Sequence, residues 1–294
     1  VANIKNTNVN LSGSDIGKGI VLPNGNNGAR QDTTANLRFN TDLQYVEHYY
    51  KGQWRDTRAN YGGGYIDEGL VLLFDPSDPA SYPGSGVTVY DLSGQNNHGT
   101  LYGTTWVSNG QQSYFNQVLN NNNNISVLAS PSLNYSHRNW TYNVWVYPTF
   151  DDNGTWTQFF CKGNAQGRRR PACWYYSGSS SRFHITWNGD GQSQQTVDTT
   201  DPITFQNTWQ MITVTSRNGT MRAYRNGSAN ANSVGIDARN GNTDPLFIGQ
   251  VDDQGSWQYR GPGQRIGYFS LHDRALSDTE LSTLFSDTRG RFGV

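Results

Sequence analysis

The sequence predicts an all-β protein, a two-sheet antiparallel sandwich closed by one short C-terminal helix. Three observations carry this expectation. The composition is poor in helix formers: charged residues make up 15% of the 294, against about 25% in an average soluble chain. Glu occurs only at Glu47, Glu68 and Glu280, and Lys only at Lys5, Lys18, Lys51 and Lys162, while Asn, Gly, Ser and Thr abound; those residues favour turns and strand margins. Short apolar segments recur from residue 66 onward, separated by Gly, Pro and Asn turns, as in a sandwich. Finally, one stretch near the C-terminus carries a complete helix-start signal.

Residues 1–35 are rich in Asn and Gly, with apolar pieces no longer than "IGKGIVLP". They cannot bury much surface and read as an extended arm that docks elsewhere. Residues 36–60 contain "NLRFNTDLQYVEHYYKGQWRD", an alternating run with aromatics crowded around a Lys-Gly turn. This predicts a small β-hairpin module. "YGGGY" at 61–65 reads as a glycine linker and the domain boundary. The strands of the large domain, 66–294, are "GLVLLFD", "WTYNVWVYP", "TQFFCKG", "CWYYS", "RFHITWNG", "WQMITVTSR", "TMRAYRNG", "PLFIGQ" and "RIGYFSLHDR". Asn218-Gly219 between two of them suits the type I′ turn of a two-residue hairpin. In "ALSDTELSTLF", Ser277 is the N-cap and Glu280 completes a capping box, with Leu276 and Leu281 as the hydrophobic staple. The helix is expected to end near Thr288, with "RGRFGV" leading out of the fold. Cys161 and Cys173 lie in apolar stretches either side of a turn. Free buried thiols and a disulfide both fit that placement; a chain this long needs no staple.

The formal net charge is -1, so no global field draws the chain to nucleic acid or an acidic membrane. It has no run of apolar residues long enough for a membrane helix. "VANIKNTNVNLSGSD" lacks a charged-then-apolar leader, although a start at Val1 is compatible with one already removed. The chemistry of hydrolysis is also missing its motifs. A glycosidase needs two carboxylates set across the sugar; here the Glu residues are isolated. Asp151-Asp152 and Asp252-Asp253 are adjacent pairs, which point to opposite faces of a strand and read as turn caps. His48, His98, His137, His184 and His272 show no zinc spacing. "YGGGY" lacks the Lys-Ser/Thr ending of a phosphate loop, and no nucleophile elbow precedes a helix. No catalytic residues are assigned.

Two parts of the sequence resemble known families. "GLVLLFDPSDPASY", "VYDLSGQNNHGTL", "WTYNVWVYP", "WQMITVTSRNGTMRAYRNG" and "RIGYFSLHDRALSDTEL" occur in the order and spacing of the laminin-G-like branch of the concanavalin A-like jelly rolls, over residues 66–294. The resemblance implies a jelly-roll sandwich and fixes no function. "LRFNTDLQYVEHYYKGQWRD" resembles a small β module of tailed-phage virion proteins, where it precedes fibre, whisker or decoration domains. The pairing implies a non-enzymatic structural protein of a phage surface, with the N-terminus as anchor and the sandwich projecting outward.

Candidate sites follow from both readings. Phe39, Tyr45, Tyr49, Tyr50 and Trp54 form the expected oligomer or virion contact. A buried Tyr or Trp removes roughly 150–250 Å² from water, and a lone hairpin cannot hide so many. Three copies round an axis would, so a homotrimer is favoured; fold-back onto the sandwich is the alternative. Arg168, Arg169 and Arg170 sit at an expected hairpin tip near Trp156 and Trp174; a solvated turn is the plainer reading, and recognition of an anion, on acidic host-surface glycan or on a partner subunit, is the functional one. Tyr175 and Trp187 are further aromatics, with core packing the plainer reading for any Trp of a sandwich. Asp91 in "DLSGQNNHGTL" reads as the organiser of an Asx-turn, with calcium at the sandwich rim as the alternative. No other cofactor, no nucleic acid and no membrane insertion is expected. The expected location is the virion surface. A free secreted lectin module and, more remotely, a polysaccharide hydrolase are the competing functions.

Overall fold

The computed structural model describes residues 24–25, 37–41, 45–50 and 53–56, and residues 65–294 apart from 110–111, 119–122, 135–137, 149–155, 164–168, 177–181, 189–193, 200–206, 239–242 and 250–262. The chain divides into two compact units, Val1–Arg58 and Ala59–Val294.

In the first unit, β1 (Asn24–Gly25), β2 (Leu37–Asn40), β3 (Tyr45–Tyr50) and β4 (Gln53–Asp56) form one four-stranded sheet in that order. β1 runs parallel to β2, and the other pairs are antiparallel. The expected hairpin is therefore part of a larger sheet. A two-stranded ribbon leaves unpaired backbone on both edges; here β2 satisfies one edge of β3, and part of the expected arm pairs with β2. Phe39 lies opposite Val46, Asn40 opposite Tyr45, and Tyr49 opposite Trp54. Phe39 is half-buried.

The second unit is a sandwich, as its strand spacing predicts. Its strands are β5 (Leu70–Phe74), β6 (Thr88–Val89), β7 (Gly99–Tyr102), β8 (Thr105–Ser108), β9 (Ser113–Gln117), β10 (Asn124–Val127) and β11 (Asn139–Pro148). They continue with β12 (Trp156–Lys162), β13 (Arg169–Tyr176), β14 (Arg182–Asn188), β15 (Gln195–Asp198), β16 (Gln210–Arg217), β17 (Thr220–Arg225), β18 (Ser228–Gly235), β19 (Leu246–Gly249) and β20 (Gln264–His272). Sheet I has the order β18-β17-β16-β11-β20-β9-β8, with β5 also paired to β20. Sheet II has the order β15-β14-β13-β12-β19-β10-β7-β6.

Alternation along each strand decides what faces the core. From sheet I, Trp140, Tyr142, Val144 and Val146 point inward with Ile212, Val214, Phe269 and Leu271. From sheet II come Phe160, Cys173, Tyr175, Phe183, Ile185 and Trp187. The two sets interlock through stacked rings: Tyr142 on Phe160 at 4.9 Å and Trp140 on Trp187 at 5.7 Å. Each such side chain contributes roughly 1.5–3 kcal/mol by leaving water. Asn218 and Gly219 both take positive φ, 52° and 79°, the type I′ signature.

The helix α1 (Asp278–Phe292) covers part of the outer face of sheet I. Ser277 Oγ accepts from Glu280 N–H, and the Glu280 carboxylate accepts from Ser277 N–H. Leu276 and Leu281 meet in one apolar cluster with Tyr224. The helix runs past the expected stop at Thr288. Gly290 lies inside it, Arg289 and Arg291 stand in its last turn, and Gly293 caps it with φ 71°. The cause is packing. Phe292 lies 4.2 Å from Trp145 and 4.8 Å from Trp209, and Arg291 reaches the fully buried Asp75 at 2.7 Å. "RGRFGV" thus docks on the fold instead of leaving it. A bulge at Gly267, where β20 shifts against β11 between Trp145 and Val146, makes room for the Phe292 ring.

Cys161 and Cys173 sit on opposite faces of sheet II. Cys161 lies opposite Ala172, in the outer cluster with Trp174; Cys173 lies opposite Phe160, in the central core. No disulfide joins them and both are buried, and burial pushes the Cys173 thiol well up.

Candidate functional site

Strands β12 to β15 present a set of polar and aromatic side chains on the outer face of sheet II. Alternation puts Phe183, Ile185 and Trp187 of "RFHITWN" into the core and Arg182, His184 and Thr186 outward. Cross-strand register then lines them up. Trp156, Tyr176 and Arg182 form one row across three strands. Gln158, Trp174, His184 and Asp198 form the next row across four.

The rows are locked together by directional contacts. The Trp156 and Tyr176 rings lie 4.8 Å apart, and the Arg182 guanidinium lies 4.8 Å over Tyr176 and 5.3 Å over Trp156. Arg169 lies 4.6 Å over Trp174. Cation–π contacts of this kind contribute about 0.5–2 kcal/mol each. His184 stands edge-on to Trp156 at 4.9 Å. Its Nδ1 is 2.6 Å from Asp198 Oδ1, while Arg182 Nε donates to Asp198 Oδ2 at 3.2 Å. Burial works to raise the Asp198 pKa, but the hydrogen bonds and charges of His184 and Arg182 outweigh it and hold the carboxyl below its ordinary value. At the far end of β12 from Trp156, Lys162 is fully buried; burial brings its pKa down to about 8, against the pull of Asp244. Its Nζ donates to the Asp244 carbonyl.

Chemically, the rows offer flat apolar rings, guanidiniums and one hydrogen-bonded carboxylate. Both Asp198 oxygens are engaged by protein donors. That is a surface for stacking and hydrogen bonding.

The sequence-predicted residues fare differently. Trp156 is half-buried and belongs to the rows. Trp174 belongs to them too, but only 4% of it reaches solvent. Arg169 packs on Trp174. Arg170 is not a solvent-facing contact: it is 1% exposed, because β13 starts at Arg169 and takes the pair out of the expected hairpin tip. Tyr175 and Trp187 are core residues. Arg168 and the side chains of Tyr45, Tyr49, Tyr50 and Trp54 lie outside the described residues. Tyr176, Arg182, His184 and Asp198 were not singled out from the sequence.

Asp91 organises its turn. Oδ1 accepts from the N–H groups of Leu73 and Ser93, both at 2.9 Å; Oδ2 accepts from Ser93 Oγ at 2.7 Å and Asn97 N–H at 3.0 Å. Four protein N–H and O–H groups thus face its two oxygens. Among the described residues, no group of three His, Cys, Asp or Glu is placed to hold a metal ion.

Comparison with solved structures finds the sandwich elsewhere. The binding domain of Paraclostridial Mosquitocidal Protein 1 superposes with a TM-score of 0.58 at 18% identity, covering 75% of this chain and 52% of that one. The binding domain of botulinum neurotoxin serotype D gives 0.57 at 12%, with coverage of 75% and 52%. That of botulinum neurotoxin DC, solved in complex with SialylT, gives 0.56 at 14%, with coverage of 75% and 51%. The chain thus spans about half the length of these domains, and identities so low speak to fold alone. A search of curated proteins finds no match. Residues 119–282 match the model of the concanavalin A-like lectin/glucanases superfamily. With more than half of the chain matched and the two-sheet sandwich in place, the chain belongs to the concanavalin A-like lectin/glucanase superfamily.

Proposed function

We propose that the sandwich is a non-enzymatic carbohydrate-binding domain displayed on the surface of a tailed-phage virion, in a decoration, fibre or whisker protein. The N-terminal unit anchors it to other virion proteins and joins three copies. The carrying observation for the binding role is the Trp156, Tyr176 and Arg182 row with the His184 and Asp198 pair beside it. Aromatic rings offer faces to the apolar side of a sugar, and guanidiniums recognise carboxylate with paired hydrogen bonds. The ligand class is therefore a glycan bearing an acidic sugar. The SialylT complex of a fold neighbour agrees with this class. The virion role rests on the resemblance of residues 37–56 to the phage module.

The test is calorimetric titration of the whole chain with sialylated and neutral oligosaccharides. Binding of the acidic sugar that Trp156→Ala weakens tenfold or more, with an unchanged melting temperature, supports the reading. Binding unaffected by Trp156→Ala refutes the placement, and no binding at millimolar sugar refutes the function. Light scattering of the whole chain addresses the anchor: a trimer supports assembly through the first unit, and a monomer removes it. A free secreted lectin is the second reading, favoured by neighbours that are toxin binding domains.

A further inference from the structure

A pocket of about 180 Å³ opens on the outer face of sheet I, lined by Thr215, Arg217, Thr220, Arg222 and Tyr224. It lies on the opposite face of the sandwich from the rows described above. The β16–β17 register explains its lining. Thr215 stands directly across from Arg222, and Arg217 across from Thr220. The intervening Val214, Met221 and Ala223 point into the core, so the lining side chains project together to one side.

The charge of this pocket is unbalanced. Arg217 donates to the Leu276 carbonyl at 2.9 Å and stands 3.7 Å from Asp278, a carboxylate that also accepts from Tyr224 Oη at 2.9 Å. Arg222 is half-buried, and among the described residues no carboxylate pairs with it. Among the described residues the lining thus carries two guanidiniums, and the one carboxylate recorded beside it pairs with Arg217. Half-burying an unpaired guanidinium is costly, and an anion in the pocket would offset that cost. The donors come from two strands and from both charged and hydroxyl groups. Such a spread suits a group with several acceptor oxygens, whereas a planar carboxylate is satisfied by a single Arg fork. A water molecule occupies about 30 Å³ of liquid, so the volume holds a tetrahedral oxyanion with its remaining water.

We propose that this pocket binds a tetrahedral oxyanion, a sulfate or phosphate group carried as an ester on a larger molecule, between Arg217 and Arg222. The assignment is independent of the acidic-sugar reading of the other face.

The experiment follows the arginine Nε–Hε resonances of the whole chain by NMR at fixed ionic strength. The probes are inorganic sulfate, inorganic phosphate, a sulfated disaccharide and its unsulfated counterpart. The expected result is saturable shifts of Arg217 and Arg222 with the inorganic ions and the sulfated sugar but not the unsulfated one. Arg222→Gln is expected to weaken each by about tenfold, the loss of one charged hydrogen bond. Shifts with the inorganic ions alone overturn the ester. Titrations that do not saturate, or that Arg222→Gln and Arg217→Gln leave unchanged in stably folded variants, overturn the site.

Discussion

Replacing Glu280 by Gln tests whether charge, and not packing alone, fixes the start of the helix. The Glu280 carboxylate accepts from Arg274 Nη1 at 3.1 Å and Nη2 at 2.5 Å, and from Ser277 N–H at 2.7 Å and Oγ at 2.8 Å. The Arg274 hydrogen bonds, opposed by burial and helped by Ser277, bring its pKa from 4.5 down to about 2. Such a drop corresponds to roughly 3 kcal/mol at about 1.4 kcal/mol per tenfold. The side chain is 31% exposed, so water screens the pair and about 1–2 kcal/mol is the expected share. The folded-state pKa is depressed, so this stability is complete above pH 4.5 and fades as the pH falls toward 2. Glu280→Gln keeps one amide oxygen for Ser277 N–H and loses the charge. At pH 7 it should lower the melting temperature by about 2–8 °C, using 2–4 °C per kcal/mol for a domain of this size. Melting curves of both proteins from pH 7 to pH 3 measure this, and the gap should narrow with acidification. A gap of constant size would show that the carboxylate contributes shape only. An Arg274→Gln cycle should then return no coupling.

Two further changes probe the frame around the sites. Gly267→Ala should destabilise by about 1–3 kcal/mol, because a methyl there collides with the Phe292 ring and stands 3.1 Å from Trp209; urea unfolding with an unchanged midpoint would mean the helix end is not held as described. Asp91→Ala strands the Leu73 and Asn97 N–H groups and should remove at least about 2 kcal/mol. Asp91→Asn should recover part of that, and no recovery would argue against the turn role.

The sandwich was legible in the sequence because its causes are local. Alternation in "WQMITVTSR", the Asn218-Gly219 turn and the Ser277–Glu280 box each act within a few residues, and each reappears in the structure. The helix end was not legible, because Gly290 reads as a breaker while the force that extends the helix comes from Trp145, Trp209 and Asp75, far away in sequence. Arg170 misled for the same reason: a run of three arginines looks solvated until the start of β13 is known.

The candidate site divides along the same line. That Arg182 and His184 share a face follows from period-two alternation in "RFHITWN", and the same reasoning puts Trp174 and Tyr176 together. What no local pattern reveals is that Tyr176 lies across from Arg182, or His184 across from Asp198. Those facts depend on register, which the turns and core pattern set jointly. A slip of one residue would exchange His184 for Phe183 or Ile185 on the outer face and bury a charge in the core. The apolar inner residues therefore hold the register, and the register assembles the outer rows. The same argument covers the pocket on the other sheet, where Arg217 and Arg222 meet only because β16 and β17 pair through Thr215 and Thr220. In both places the core fixes which polar groups become neighbours, so the arrangement of polar side chains on either face is a consequence of packing between them.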